Sequence, residues 1–547
     1  MPLTVLINGK VLAGYGNDSL EQCALALEDG RVLAVGSAAE SLQESADDVV
    51  DLAGGILAPA FGDGHAHPVQ GGLERLGPQL RACASVAEIV AEVKAWADEH
   101  PDQDWIYGAS YDATIAPDGL FDARWLDDAA PGRAVVLRAW DYHTLWLNSE
   151  ALDRAGITAE TPEPTLGRIP RRDDGTPLGV LQEQGAADLL AHVEPGRTNE
   201  ERVDAIALAT AEYASLGVAW VQDAWVESAD ATAYLEASRL GLLSTRVNLA
   251  LRADPLRWRE QTEEFSAIRT RVQALGDPLL TASTVKVFVD GVVENHTAAM
   301  LEPYTDASGD TGLPNWREDE LAEAAIAFDR LGFQLHLHAI GDAACRTALD
   351  VVEAVEVANG PRDRRPVIAH VQLAAQADLD RFAGLGVIAN FEPLWAQLDP
   401  PMVDLTLPRL GPVRGGSQYP IRTLLQNARI SFGSDWPVTS LDWRPGVATA
   451  VTRQTADRMP AGGWTPAERI PLDDALVAYS AGVAYQAFAD DGRNPLQVGD
   501  RPDLVWLDRD PRRLDPHRLD EVTVLGTWIA GERRTPNSQR STRRDEA

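Results

Sequence analysis

Eight apolar runs, each long enough for one buried strand, follow one another through the middle of this 547-residue chain. Several are separated by stretches with helical periodicity, such as residues 201–216 and 342–358. A strand followed by a helix, repeated eight times, predicts a (β/α)8 TIM barrel, because parallel strands need helical crossovers that bury both faces of the sheet. The predicted strands lie at residues 55–61, 217–223, 246–251, 283–291, 333–339, 366–371, 386–391 and 429–435.

One connection in this series is far longer than the others. Most strands begin roughly 30 residues after the previous one, as in an ordinary barrel, whereas residues 70–197 stand between the first two strands. This insertion has its own predicted strands at 134–138 and 179–181 and a predicted helix at 86–99. A segment inserted after strand one lies over the carboxyl face of a barrel, where active sites form. We therefore expect a lid that shapes the substrate site.

The two ends of the chain share short apolar runs and tight turns. Asn8-Gly9 and Asp29-Gly30 each stand between apolar runs, which is a strong hairpin signal, and similar runs return near residues 504–507 and 521–531. We expect both termini to combine into one small β-sandwich. The predicted organisation is a sandwich from residues 1–55 and 481–535, a barrel over residues 56–480 with insertion 70–197, and a flexible tail at 536–547.

Charge and cysteine usage exclude several classes of function. The 48 basic and 83 acidic residues give a formal net charge of −35, which disfavours nucleic acid or an anionic membrane as a partner. Cys23, Cys83 and Cys345 show no Cys-x-x-Cys spacing, so neither a disulfide framework nor a thiolate zinc site is expected. Because no leader or long apolar segment is evident, we expect a cytoplasmic protein with a small-molecule substrate. The sequence does not decide whether the protein forms a homodimer.

Polar side chains interrupt the apolar strands near their ends. His65 and His67 are two residues apart, so in an extended segment they point to the same face. Burying such groups is costly without a purpose, and histidine nitrogens with carboxylate oxygens are natural ligands of zinc-like divalent ions. The pattern predicts a metal site to which the fourth, fifth, sixth and eighth strands contribute Lys286, His338, His370 and Asp435.

These motifs resemble the amidohydrolase superfamily, and more narrowly the branch that includes N-substituted formamide deformylases. The resemblance spans nearly the whole chain. It rests on the segments Gly64–His67, Lys286–Gly291 with Thr297-Ala298, His338–Asp342, Gly433–Val438, His143 with Asn148-Ser149 and Ala151-Leu152, and Gly499–Val505.

The resemblance implies one or two divalent metal ions, with Zn²⁺ the expected metal. His65, His67 and Asp435 would hold one ion, and His338 and His370 would hold a second. Lys286 would bridge them as an N-carboxylated lysine, because a cationic ammonium group cannot act as a ligand. Without that modification a one-metal site is expected.

The implied reaction is hydrolysis of a carbon–nitrogen bond other than a peptide bond. A metal lowers the pKa of bound water, and Asp435 would act as the general base that passes the proton to the leaving nitrogen. His143 would help to polarise the carbonyl or would simply form a hydrogen bond. The family pattern places a ligand directly before Ala339, which selects His338 and leaves His336 as a supporting or packed residue.

Tryptophans near the strand ends bear on the substrate. The resemblance implies an N-acyl or N-formyl amide as substrate. Because Trp225, Trp395 and Trp436 offer broad apolar faces, we expect this amide to carry an apolar or aromatic group. A cyclic-amide, carbamate or ester hydrolase, or a deaminase, would use the same metals and base and stays an alternative. A catalytically silent binding barrel is a more remote one, since it predicts the loss of a ligand and no ligand is missing.

Overall fold

The computed structural model describes residues 2–16, 21–191, 193, 196–490 and 496–534. The predicted tail at 536–547 lies outside these residues. Within the described part of the chain, none of the helices combines the length and the apolar character needed to cross a membrane.

Eight parallel strands form a nearly closed barrel, which confirms the predicted (β/α)8 fold. They pair in chain order, and most of their side chains are buried, as the apolar runs require. Two backbone hydrogen bonds link the end of the first strand to the segment that follows the last strand. The Asp435 amide donates to the His65 carbonyl, and the His67 amide donates to the Trp436 carbonyl. The strands are Phe61–Ala66, Val218–Val226, Arg246–Arg252, Leu280–Phe288, Gln334–Ala339, Val367–His370, Ile388–Phe391 and Arg429–Phe432.

Helices pack their apolar faces around the barrel strands. The helix before the second strand begins with a capping box, in which Thr198 and Glu201 satisfy each other's backbone amides. The longer helices around the barrel are Asn199–Ser215, Ser228–Arg239, Trp258–Leu275, Glu318–Arg330, Asp342–Asn359 and Trp443–Thr452. The shorter ones are Pro68–Glu74, Leu379–Gly384, Leu407–Gly415, Ile421–Leu425, Leu472–Val477 and Val483–Gln486.

The first predicted barrel strand differs from the observed one. Most of the run at 55–61 forms the strand Ile56–Pro59, which pairs with Lys10–Leu12 and Leu504–Leu507 in a different sheet. The barrel strand begins only at Phe61 and contains His65. An apolar run is equally well buried in either sheet, so its sequence does not specify the partner strand.

The β-sandwich is built from both ends of the chain, as the predicted fold class requires. Apolar side chains such as Leu6, Leu57 and Trp528 pack together in its core. One sheet contains, in spatial order, Glu532–Arg534, Val524–Ile529, Leu504–Leu507, Ile56–Pro59, Lys10–Leu12 and Glu21–Gln22. The other contains Arg31–Val35, Leu25–Glu28, Leu3–Ile7 and Asp48–Asp51, with the short helix Ser37–Glu40 beside it.

The insertion has a sheet and hydrophobic clusters of its own. Its predicted strands and its helix are all present. The sheet order is Val180–Gln182, Thr144–Leu147, Ala134–Ala139 and Trp105–Tyr111, and the helices are Val86–Glu99, Ser149–Ala155 and Gln184–Ala187. The turn before Thr144 and the end of the strand Val180–Gln182 bring His143 and Glu183 together near the mouth of the barrel.

Candidate active site

The ends of the barrel strands bring five of the predicted ligands next to one another. Asp435 Oδ1 lies 2.8 Å from His67 Nε2 and 3.5 Å from His65 Nε2. His65, His370 and Asp435 each offer one ligand atom, and these three atoms lie within 4.8 Å of one another. The His338 ring adjoins this group, with its centre 4.6 Å from that of His370.

Burial keeps all four histidine rings neutral. Removal from water lowers the pKa of His65, His67 and His338, and it lowers the pKa of His370 to about 3. A neutral imidazole offers a lone pair to a metal, whereas the protonated ring does not. The four rings are therefore in the form that a metal site requires.

Three of these rings are held through the nitrogen that points away from the centre. The Nδ1 atoms of His338 and His370 lie 3.1 Å from Asp290 Oδ1 and 2.8 Å from Glu392 Oε2, respectively. His65 Nδ1 lies 2.8 Å from His336 Nε2, so His336 takes the supporting position. Such partners fix the ring orientation and leave Nε2 for the ion.

The backbone is strained at several non-glycine positions around this centre, among them Asp435, His370 and Glu183. Asp435 has φ 50°, His370 has φ 74° and Glu183 has φ 65°, all in the left-handed region. Such conformations cost about 1–3 kcal/mol each and persist where the surrounding structure enforces them. At His370 and Asp435 the positive φ occurs where a strand ends, and this change of backbone direction points the side chain toward the centre.

Lys286 lies fully buried at the base of the same cluster. Its Nζ is 3.5 Å from His65 Nε2 and 4.5 Å from the centre of the Phe288 ring. No carboxylate among the described residues forms an ion pair with it within 4.0 Å. Burial lowers the pKa of the Lys286 amine to about 7, so a large share of the group is neutral at neutral pH. Only the neutral amine can react with CO₂.

The insertion brings His143, whose side chain is 15% exposed, together with the buried Glu183 near the mouth of the barrel. His143 Nδ1 lies 2.7 Å from Glu183 Oε2, and Glu183 Oε1 accepts a hydrogen bond of 2.5 Å from the Thr297 hydroxyl. Burial favours the neutral ring, but the Glu183 carboxylate outweighs it and raises the pKa of His143 to about 9. The imidazolium stands beside His338, with ring centres 5.6 Å apart.

The pH profile tests this pair. Replacing Glu183 by glutamine removes the charge that keeps His143 protonated, so the His143 pKa falls. We expect kcat/KM of the wild type to decline as the pH rises through about 9, and this decline to begin roughly 1–2 pH units lower in Glu183→Gln. Glu160→Gln, at an exposed position of the insertion, should keep the wild-type profile. An unchanged basic limb in Glu183→Gln would show that His143 does not act as a protonated group.

A cavity over the centre contains two of the three predicted substrate-binding tryptophans. Trp225 and Trp395 border it, and the Trp395 ring stacks on His370 with 5.2 Å between ring centres. Trp436 is not among the bordering residues. Its ring packs 5.7 Å from that of Tyr213 and fills the space where a Cβ on Gly71 would lie.

Three acids beside site histidines have no role in the prediction from the sequence: Glu183, Asp290 and Glu392. Glu183 directly follows the buried strand Val180–Gln182. An acidic residue at such a position is the sequence feature by which Glu183 could have been identified as a site residue. Asp290 lies inside the motif Lys286–Gly291 and accepts hydrogen bonds from the Gly341 and Ala299 amides as well as facing His338.

Fold and site together define a barrel hydrolase that works with a divalent metal. The chain belongs to the amidohydrolase family, whose family model matches residues 48–534. It is therefore a hydrolase that acts on a carbon–nitrogen bond of a small-molecule substrate.

Individual relatives align along nearly the full chain. Protein LONG AFTER FAR-RED 3 of Arabidopsis thaliana is 30% identical over 530 residues, which cover 94% of this chain and 88% of the relative. The N-substituted formamide deformylase of Arthrobacter pascens is 26% identical, over 96% of this chain and 97% of the enzyme. An uncharacterized metal-dependent hydrolase from Pyrococcus horikoshii has the same fold, with a TM-score of 0.74, 24% identity, and coverage of 94% of this chain and 99% of that one.

Proposed function

We propose that this enzyme hydrolyses an N-acyl or N-formyl amide that carries an apolar or aromatic group. The observation that carries the proposal is the convergence of neutral histidines, Lys286 and Asp435 beneath an aromatic-walled cavity, with the His143 imidazolium at its edge. The similarity to the Arthrobacter formamide deformylase supports this reaction class.

The donor set fits a divalent ion. His67 Nδ1 and Asp435 Oδ1 are buried without a hydrogen-bond partner in the described residues, and the 2.8 Å approach of Asp435 to His67 lacks hydrogen-bond geometry. Side chains that crowd together without hydrogen bonding are typical of ligands that share an ion. Imidazole and carboxylate donors suit Zn²⁺, held by His65, His67 and Asp435. His338 and His370 would hold a second ion if Lys286 is carboxylated.

The reaction adds water to the amide carbon and breaks the carbon–nitrogen bond. When bound, the metal supplies an acidified water and polarises the carbonyl. Asp435 accepts the proton of the attacking water and delivers it to the nitrogen, which leaves as the amine. His143, held by Glu183, donates a hydrogen bond to the carbonyl oxygen as negative charge develops there. The products are a carboxylate and an amine.

A substrate comparison tests the proposal. We expect the purified enzyme to release formate from N-benzylformamide and to lose this activity on treatment with a chelator, with recovery on addition of Zn²⁺. Bound metal, measured by elemental analysis, should amount to one or two ions per chain. A much faster turnover of cyclic amides, esters or aminopurines would assign the enzyme to another reaction of the family. A metal-free protein without chelator-sensitive hydrolysis would support the silent barrel.

A further inference from the structure

The wall of the cavity contains acidic residues that have no ion-pair partner among the described residues. Glu294 and Asp399 border it, and in the described part of the chain neither forms an ion pair. No lysine or arginine is among the residues that border the cavity. Burial raises the pKa of Asp399 to about 6, and the nearby charge of Glu294 adds to this effect. Two acids thus lie near each other, and neither has an ion-pair partner among the described residues.

Two further groups in the cavity wall lack a hydrogen-bond partner among the described residues, although the residues that carry them are buried. Tyr419 is 1% exposed, and its hydroxyl forms no hydrogen bond with any described residue. Gln372 is 2% exposed; its Nε2 donates to Gln418 Oε1 at 2.7 Å, which leaves its Oε1 as an unused acceptor. Both residues border the cavity, so a ligand there could satisfy them.

We call these four residues the acceptor cluster. The segment Met402–Thr406 holds its two acids, and a backbone hydrogen bond joins the other two residues. The Met402 amide donates to Asp399 Oδ1 at 3.0 Å, and the Thr406 hydroxyl donates to Glu294 Oε1. The Tyr419 amide donates to the Gln372 carbonyl at 2.9 Å. One oxygen of the Asp399 carboxylate and one of the Glu294 carboxylate thus accept an internal hydrogen bond. The second oxygen of each accepts none from the described residues. The acceptor cluster comprises Glu294, Gln372, Asp399 and Tyr419.

We propose that the substrate's non-reacting arm carries a positively charged nitrogen with several N–H donors, such as a protonated amine or an amidine, which the acceptor cluster binds. Open carboxylate, amide and hydroxyl oxygens all accept hydrogen bonds, so they match a cationic donor and repel an anion. The aromatic faces of Trp395 and Tyr419 suit the apolar body that joins this nitrogen to the amide. The inference rests on the proposed function, which makes the cavity the substrate site.

Binding of two small probes to the metal-loaded enzyme tests the inference without any turnover. Benzamidine and acetophenone have the same shape, but only benzamidine is cationic and offers N–H donors. By calorimetry, we expect benzamidine to bind at least about 10-fold more tightly, as charge-assisted hydrogen bonds predict. Glu294→Gln with Asp399→Asn should abolish this preference, because each amide keeps one oxygen for the existing internal hydrogen bond and replaces the open, charged oxygen with an NH2 donor. Asp404→Asn, an exposed acid on the same segment, should retain it.

A matched pair of amide substrates tests the same preference through the ratio of their kcat/KM values. For N-[4-(aminomethyl)benzyl]formamide against N-(4-methylbenzyl)formamide, we expect a kcat/KM ratio of about 10 or more in the wild type, falling toward 1 in the double variant. Equal binding of the two probes, or a preference that survives in the double variant, would overturn the inference. If benzamidine is preferred but no amide is hydrolysed, the proposed function fails while the cation site stands.

Discussion

Replacement of Asp435 by asparagine is expected to lower kcat by about 10²–10⁴-fold, the usual contribution of a positioned general base. Asparagine has nearly the same shape and keeps an oxygen for the ion, but it cannot accept the proton of the attacking water. Proton delivery to the leaving nitrogen is lost with it. The side chain is 6% exposed, so bulk water cannot readily act as the base in its place. Steady-state kinetics and elemental analysis of the same preparation measure the effect.

The control separates the loss of a base from the loss of a nearby charge. Asp442→Asn changes another acid in the same loop, and asparagine still caps the helix Trp443–Thr452. We expect this variant to retain wild-type kcat and both variants to unfold at similar temperatures. If Asp435→Asn binds the normal amount of metal and works at near wild-type rates, Asp435 is not the base.

Replacement of Lys286 is expected to reduce kcat/KM by about 10³-fold or more. A correctly coordinated metal stabilises the transition state by several kcal/mol, and this stabilisation would be lost. The ammonium form of this buried side chain would repel a divalent ion, and its amine lies 3.5 Å from His65. Carboxylation converts it into an anionic ligand. We therefore expect Lys286→Ala to lose metal, and Lys286→Met, which preserves the volume, to lose it equally.

A label distinguishes the modified lysine from an unmodified one. After incubation with ¹³C-bicarbonate, we expect a carbamate signal in the ¹³C NMR spectrum of the wild type and none in either Lys286 variant. Lys94→Ala removes an exposed lysine and should retain both the signal and the activity. A fully active wild type without a carbamate signal, containing one ion per chain, would establish a one-metal site in which Lys286 is not a ligand.

The barrel was predictable because its signal is repeated eight times and the interior of a parallel sheet demands apolar side chains. Polar residues at strand ends stand out against this background, and the barrel register then brings them together: His338 lies beside Ala369, and Ala339 lies beside His370. The prediction that the run at 55–61 forms a barrel strand is wrong because burial in the sandwich or in the barrel selects the same residues.

The sequence by itself determined the barrel, the insertion and the residues that gather at the strand ends, because periodicity and polarity are properties of the chain. Only the tertiary structure decided which groups meet across long separations. It pairs His143 with Glu183, places His336 behind His65, turns Trp436 toward Tyr213, and assembles the acceptor cluster from three separate loops. Such contacts depend on side-chain directions at loop ends, where the backbone follows no period.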